Sequence, residues 1–193
     1  MARWQAGARD RLEQAALALF LEQGFAETTV PQIAARAGLT TRTFFRHFAD
    51  KREVLFAGDE AVPMLVQRLM VQAPEDVRPV PLIFSQLGPF AETVFGHRRD
   101  VLRTRHRIIS TDQGLRERKL QKMETLRASI IDGFVGRGTD ELTATLAADL
   151  AMMVLGTALE RWLSSDGSAP LSTVVTDVLA VLRTLASEVE REV

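Results

Sequence analysis

The 193-residue sequence contains no cysteine, no tyrosine and only three histidines. Without cysteine there are no disulfides, no thiolate zinc or iron–sulfur sites and no thiol redox chemistry. His97 and His106 stand nine apart, whereas two metal ligands on one helix face need a spacing of three or four, so no metal site is expected. GxSxG, HExxH, GxxxxGK[ST] and GxGxxG are all missing, and Gly136-Arg137-Gly138 reads only as a turn. No catalytic residues, no cofactor and no enzymatic activity are expected. Long hydrophobic runs are lacking too. The first 23 residues are broken by Arg3, Arg9, Asp10, Arg11 and Glu13, and the most apolar stretch, Leu142 to Leu163, by Asp149, Glu160 and Arg161. Neither looks like a signal peptide or the roughly 20 apolar residues of a membrane helix, so a cytoplasmic protein with no membrane partner is expected. Alternating strand patterns and repeats are also missing.

What is present is an ordinary globular composition, 46% hydrophobic and 25% charged, sufficient for a real core. A net charge of −1 hides an asymmetry. The window from Arg36 to Arg52 holds Arg36, Arg42, Arg46, Lys51 and Arg52 against Asp50 alone, which points to an anionic partner for the N-terminal end.

Helical periodicity accounts for the whole chain. Leu12, Ala15, Ala16, Leu19 and Phe20 predict a helix from Ala8 to Gln23, stopped at Gly24. Thr29-Val30-Pro31-Gln32 reads as a capping box opening a short helix, Val30 to Ala37. Gly38-Leu39-Thr40 then supplies a turn and a second cap before Thr41-Arg42-Thr43-Phe44-Phe45-Arg46-His47-Phe48. Two short helices joined by three residues with a glycine form a helix-turn-helix. In the second helix Phe44 and Phe48 face the core, leaving Thr41, Arg42, Thr43, Phe45, Arg46 and His47 outward. Asp50 is expected to cap a fourth helix running from Lys51 to about Gln72, bent at Pro63. Ala73 to Pro81 reads as a linker. Further helices are expected near 82–95, 98–110, 114–137, 140–165 and 171–192.

The run FAETTVPQIAARAGLTTRTFFRHFADKREVL, residues 25–55, resembles the DNA-binding domain of TetR-type (tetracycline-repressor-like) transcriptional regulators. Gly38, Thr40, the Phe44-Phe45 pair, His47, Phe48 and Lys51 carry the resemblance. It implies an all-α fold: a three-helix DNA-binding domain over residues 1–50, then an effector-binding and dimerisation domain over 51–193, with the helix at about 51–72 connecting them. It also implies a homodimer on a double-stranded, pseudo-palindromic operator, acting most simply as a repressor released by a small-molecule effector. Base or phosphate contacts are implied for Thr41, Arg42, Thr43, Arg46 and His47, a phosphate contact for Lys51, and backbone-phosphate contact for Thr29 at the helix start. Thr40 and Phe45 complete the candidate interface, Phe45 standing where the family usually has tyrosine, so that it offers apolar contact without a hydroxyl. Arg42 and Arg46, one turn apart, suit either guanine edges or phosphates.

In the C-terminal part, Leu171, Val174, Val175, Val178, Leu179, Val181, Leu182, Leu185 and Val189 form an apolar stripe that, with Leu142 to Leu163, would fit an intersubunit four-helix bundle. Arg105 lies among Val101, Leu102, Ile108 and Ile109 on an apolar face, so it needs an anionic partner, either a carboxylate such as Asp149 or an acidic effector. Phe90, Met123, Phe134, Met152, Met153 and Trp162 are candidates for an adaptable apolar pocket or for plain core. This half is loosely similar to the subgroup of regulators that take acyl-CoA-like ligands, through its Arg-rich sixth helix and the Ala-Leu-Glu-Arg-Trp run at 158–162.

Overall fold

The computed structural model describes residues 7–192, with side chains as far as Glu188; the side chain of Val189 lies outside the described residues. Among the described residues there are nine α-helices and no strand, as the periodicity predicts. They are α1 (Ala8–Gln23), α2 (Val30–Arg36), α3 (Thr41–His47), α4 (Val62–Gln72), α5 (Pro79–Phe95), α6 (Arg99–Thr111), α7 (Gln113–Gly136), α8 (Glu141–Ser164) and α9 (Leu171–Glu192).

Local chemistry sets most boundaries. Gly24, at φ +89°, ends α1, its N–H bonded to the carbonyl of Phe20. Thr29 and Gln32 close the expected capping box on α2, with Pro31 in its first turn. Asp140 caps α8 by accepting from the Thr143 N–H.

Two expectations need correction. The fourth helix does not begin at Lys51. Asp50 does cap, accepting from the N–H groups of Arg52 and Glu53, but the element it opens is a short 3-10 turn, Glu53–Phe56. Gly58 then turns the chain at φ +91°, a conformation no helix interior adopts. α4 starts only at Val62, with Pro63 inside its first turn, so Pro63 opens the helix and does not bend it. The linker is likewise shorter than Ala73 to Pro81. Pro79 and Pro81 stand in the first turn of α5, where a missing N–H costs nothing, so proline there begins a helix.

The chain forms two compact units. The first comprises the chain up to Glu60 with Arg103–Lys122; the second comprises Ala61–Leu102 and the chain from Met123 onward. α6 and α7 each pass covalently from one unit to the other. In the first unit Leu12, Ala16, Phe20, Ile33, Phe44, Phe48, Val54, Leu55 and Leu115 are all buried.

The second unit has two apolar clusters. One gathers Val66, Met70, Leu82, Ile83, Ile130 and Phe134 around the alanines of α8, Ala144, Ala147, Ala148 and Ala151. The other packs Ala91, Val154, Leu155, Ala158 and Trp162 against Leu171, Val175 and Leu179 of α9. α5, α8 and α9 pack mutually, and the Glu92 carboxylate accepts the Ser172 N–H near the start of α9 at 2.9 Å. α8 is more apolar than its interruption by Asp149, Glu160 and Arg161 suggests: an 18-residue window reaches mean hydropathy 1.7, which by length and composition alone would suffice to cross a membrane. The small residues of α8 face its neighbours, while the Asp149 carboxylate lies outside, paired with Arg127 at 2.5 Å.

Candidate nucleic-acid interface

The first unit presents α3 on a braced scaffold. Phe44 is fully buried and Phe48 nearly so, their rings 5.5 Å apart, and Phe45 stands edge-on to Phe44 at 5.5 Å. These contacts fix the helix about its axis, so Thr41, Arg42, Phe45 and Arg46 are exposed, and Thr43 and His47 half-buried. Thr40 caps α3 by accepting from the Thr43 N–H at 3.2 Å, and the two threonine hydroxyls are 3.0 Å apart. Gly38, at φ +65°, makes the turn between α2 and α3, and Arg11 of α1 donates to the carbonyls of Ala37 and Gly38 there. A guanidinium at a helix C-terminus meets both the unpaired carbonyls and the negative end of the dipole.

The basic window is sorted by its partners. Arg36 makes two hydrogen bonds to the Glu22 carboxylate, at 2.9 and 2.6 Å, and these bonds hold Glu22 below the usual carboxylate range. Arg52 pairs with Asp50 at 2.7 Å. Burial tends to raise the pKa of Asp50, but hydrogen bonds from the Arg52 side chain and from the backbone of Glu53 and Arg52 outweigh it and hold the group low. Arg9 pairs with Glu60, and Arg118 and Lys122 share Glu53 at 2.7 and 2.9 Å. Arg42 and Arg46 alone in the window make no ion pair or hydrogen bond to any described residue.

Lys51 was expected at a phosphate, but its ammonium is already engaged. Nζ donates to the carbonyls of Phe25, Ala26 and Thr28 at 2.8, 3.1 and 2.8 Å and lies 4.5 Å from the centre of the Phe25 ring. An ammonium has three donors, and all three are spent on the loop that leads into α2. The same loop is braced by Thr28, fully buried, whose hydroxyl donates to the Gly24 carbonyl at 2.8 Å. Thr29 is exposed at the start of α2, its hydroxyl engaged with Gln32. His47 lines a cleft of about 500 Å³ with Phe48, Asp50, Arg52 and Lys122, and its Nε2 is buried, without a hydrogen-bond partner among the described residues.

The candidate effector residues do not converge. Phe134 is buried in the first apolar cluster of the second unit, with Phe90 and Met152 packed against it. Trp162 belongs to the second cluster and donates its indole N–H to the Ala169 carbonyl at 3.1 Å. Met123 is half-buried and joins neither cluster. Met153 is 52% exposed, in one row with Leu142 and Leu146 on the outer face of α8, so it lines no interior pocket. Arg105 is buried as expected, but not against Asp149. Its Nη2 donates to Glu13 at 2.8 Å and to the Ala57 carbonyl at 2.9 Å, partners 92 and 48 residues away in sequence. Periodicity placed Arg105 on an apolar face; nothing local to it could name Glu13.

Residues 13–57 match the family of bacterial regulatory proteins of the tetR type, and residues 90–186 match the MftR C-terminal domain. The HTH-type transcriptional regulator TcmR of Streptomyces glaucescens is 52% identical over 54 residues, 28% of this chain, and the match spans 24% of that protein. The HTH-type transcriptional repressor BepR of Brucella suis is 27% identical over 194 residues, covering 89% of this chain and 92% of its own. The structure of Thermus thermophilus FadR, a TetR-family transcriptional repressor in complex with lauroyl-CoA, superposes with a TM-score of 0.55 at 25% identity, over 90% of this chain and 92% of that one.

Proposed function

The chain belongs to the tetR family of bacterial regulatory proteins, and from that membership we propose that it is a homodimeric transcriptional repressor that leaves its operator when a small molecule binds. The observation that carries this reading is the distribution of cations on the helix-turn-helix. Arg36, Lys51 and Arg52 have protein partners, while Arg42 and Arg46, exposed and one turn apart on α3, have none among the described residues. An unpaired guanidinium on a capped, rigidly packed helix is suited to the O6 and N7 of guanine or to a phosphate. Residues 1–50 would form the DNA-binding domain and 51–193 the part that binds effector and dimerises. The protein would act in the cytoplasm, where the operator is.

Dimerisation is supported by the outer faces of α8 and α9. Leu142, Leu146 and Met153 on α8, and Val181 and Leu185 on α9, are each at least half exposed. Apolar rows of this kind are the expected ingredients of an intersubunit helix bundle, and a two-fold dimer places two α3 helices on successive major-groove half-sites. For the effector, the lauroyl-CoA bound by the Thermus relative supports an acyl-CoA-like molecule. Such a ligand works only by binding the DNA-released state more tightly than the DNA-bound one.

The test is selection of duplex DNA by the purified chain, then titration of the winning site. A palindromic site with steep salt dependence is the expected result. Arg42→Ala should then lose about 1–3 kcal/mol of discrimination at one base pair per half-site while binding to random DNA changes little. Equal loss on specific and random duplex would assign Arg42 to a phosphate. No enriched site would refute the repressor reading.

A further inference from the structure

We propose that Phe45 reads the 5-methyl group of a thymine in each operator half-site and is a specificity-determining residue of α3. The proposal rests on the repressor reading above and names a base that the operator must contain. Phe45 is 58% exposed, on an arc whose other exposed members, Thr41, Arg42 and Arg46, are polar or cationic. Its ring stands at 85° to that of Phe44, with 5.5 Å between the centres. Phe44 is wholly buried, and Phe48 is tilted against its ring from the other helical turn. The exposed ring therefore leans on packed core, which fixes its place on the outward arc before any partner arrives.

Chemistry narrows what such a ring can recognise. A phenyl group has no N–H or O–H to donate and no lone pair to accept with, so it cannot tell the amino, carbonyl and ring-nitrogen groups of the base edges apart by hydrogen bonding. Among the groups that the four bases present in the major groove, the methyl of thymine is the apolar one. A phosphate is a poor partner for the ring, because its oxygens would lose water and gain no hydrogen bond. Position narrows the choice again. Arg42 and Thr41, three and four residues earlier, share the face of Phe45, and side chains at that spacing are about 5–6 Å apart. Successive base pairs rise by about 3.4 Å, so the thymine lies within about two base pairs of the nucleotide that Arg42 meets. Arg42 makes no ion pair or hydrogen bond to any described residue, so the two neighbours offer one charged and one apolar contact to adjacent nucleotides.

The test deletes the methyl group from the DNA. Uracil pairs as thymine does and lacks only the 5-methyl, so each thymine of the selected half-site is replaced in turn by deoxyuridine and the affinity of the wild-type chain is measured. One position should weaken binding about fourfold, the worth of one methyl removed from water, and about 15-fold when both half-sites carry the change. At that position 5-methylcytosine paired with guanine should bind about fourfold more tightly than unmethylated cytosine. Phe45→Ala, its fold checked by melting temperature, should bind the thymine and uracil operators equally, whereas Thr41→Ser, which removes the other methyl on this face, should discriminate between them as wild type does. A selected half-site without thymine, or a scan in which no uracil weakens the wild-type complex, would overturn the proposal and leave Phe45 against deoxyribose. Discrimination that survives Phe45→Ala, or that Thr41→Ser abolishes, would assign the methyl to another residue and overturn it equally. If the wild-type chain selects no duplex, the repressor reading itself fails, an outcome read before any base is altered.

Discussion

Replacing Lys51 by methionine separates two roles that the sequence alone would assign alike. If the ammonium met a phosphate, its loss would leave the fold intact, weaken every duplex equally and lower the salt slope by about one. The structure argues otherwise, because the three donors of Nζ are spent on the carbonyls of Phe25, Ala26 and Thr28. Hydrogen bonds from a charged donor contribute about 1.5–3 kcal/mol each, but they do not simply add here. Ala26 is exposed and its carbonyl rehydrates, whereas Thr28 is fully buried and Phe25 half-buried. The net cost of Lys51→Met is then about 2–4 kcal/mol, with the methionine stem retaining contact with the Phe25 ring. For a chain of this size that is about 5–15 °C in melting temperature. Operator affinity, measured well below the new midpoint, should fall because the loop entering α2 is loosened, while the slope of log K against log salt stays at its wild-type value. A melting temperature unchanged within 2 °C or so, combined with a slope reduced by about one, would refute this reasoning and return Lys51 to the phosphate backbone.

The Asp50 carboxylate is held below its ordinary range, burial notwithstanding, by Arg52 and two backbone N–H groups. Its contribution is therefore complete above the unfolded value of about 3.9 and is lost as pH falls through the lower folded value. Asp50→Asn should melt below wild type at pH 7, and the gap should close on acidification past pH 4 or so; a gap independent of pH would remove the charge from the account. Leu146→Glu with Leu185→Glu, at positions 60% and 55% exposed, should leave the fold intact and yield monomers by sedimentation equilibrium. Operator affinity should drop about 100-fold as the two half-sites lose their linkage, and a variant that remained dimeric would place the interface elsewhere.

Much of the fold is written in short stretches of sequence. Capping by Thr29, Thr40 and Asp140 involves a side chain and an N–H three residues on, so spacing alone predicts it. Helix period placed Phe44 and Phe48 inward, leaving Arg42, Phe45 and Arg46 exposed. Prolines were harder to read, because one at the start of a helix and one that bends or ends it look alike in a string; Pro63 and Pro79 proved to be starts. The candidate effector residues were chosen by residue type, and type cannot say that Phe134 and Trp162 belong to different clusters or that Met153 points outward.

The sequence by itself determined the all-α class, the helix-turn-helix and its exposed arc, because these depend on interactions within one or two helical turns. Tertiary structure decided which charges are available. Arg42 and Arg36 are equivalent as letters, yet one has no partner among the described residues and the other is held by Glu22 fourteen residues away. Lys51 serves carbonyls 23 to 26 residues back, and Arg105 serves a carboxylate 92 residues away. A charge takes whichever partner the packed chain brings within about 3 Å, at a distance along the sequence that no local pattern encodes.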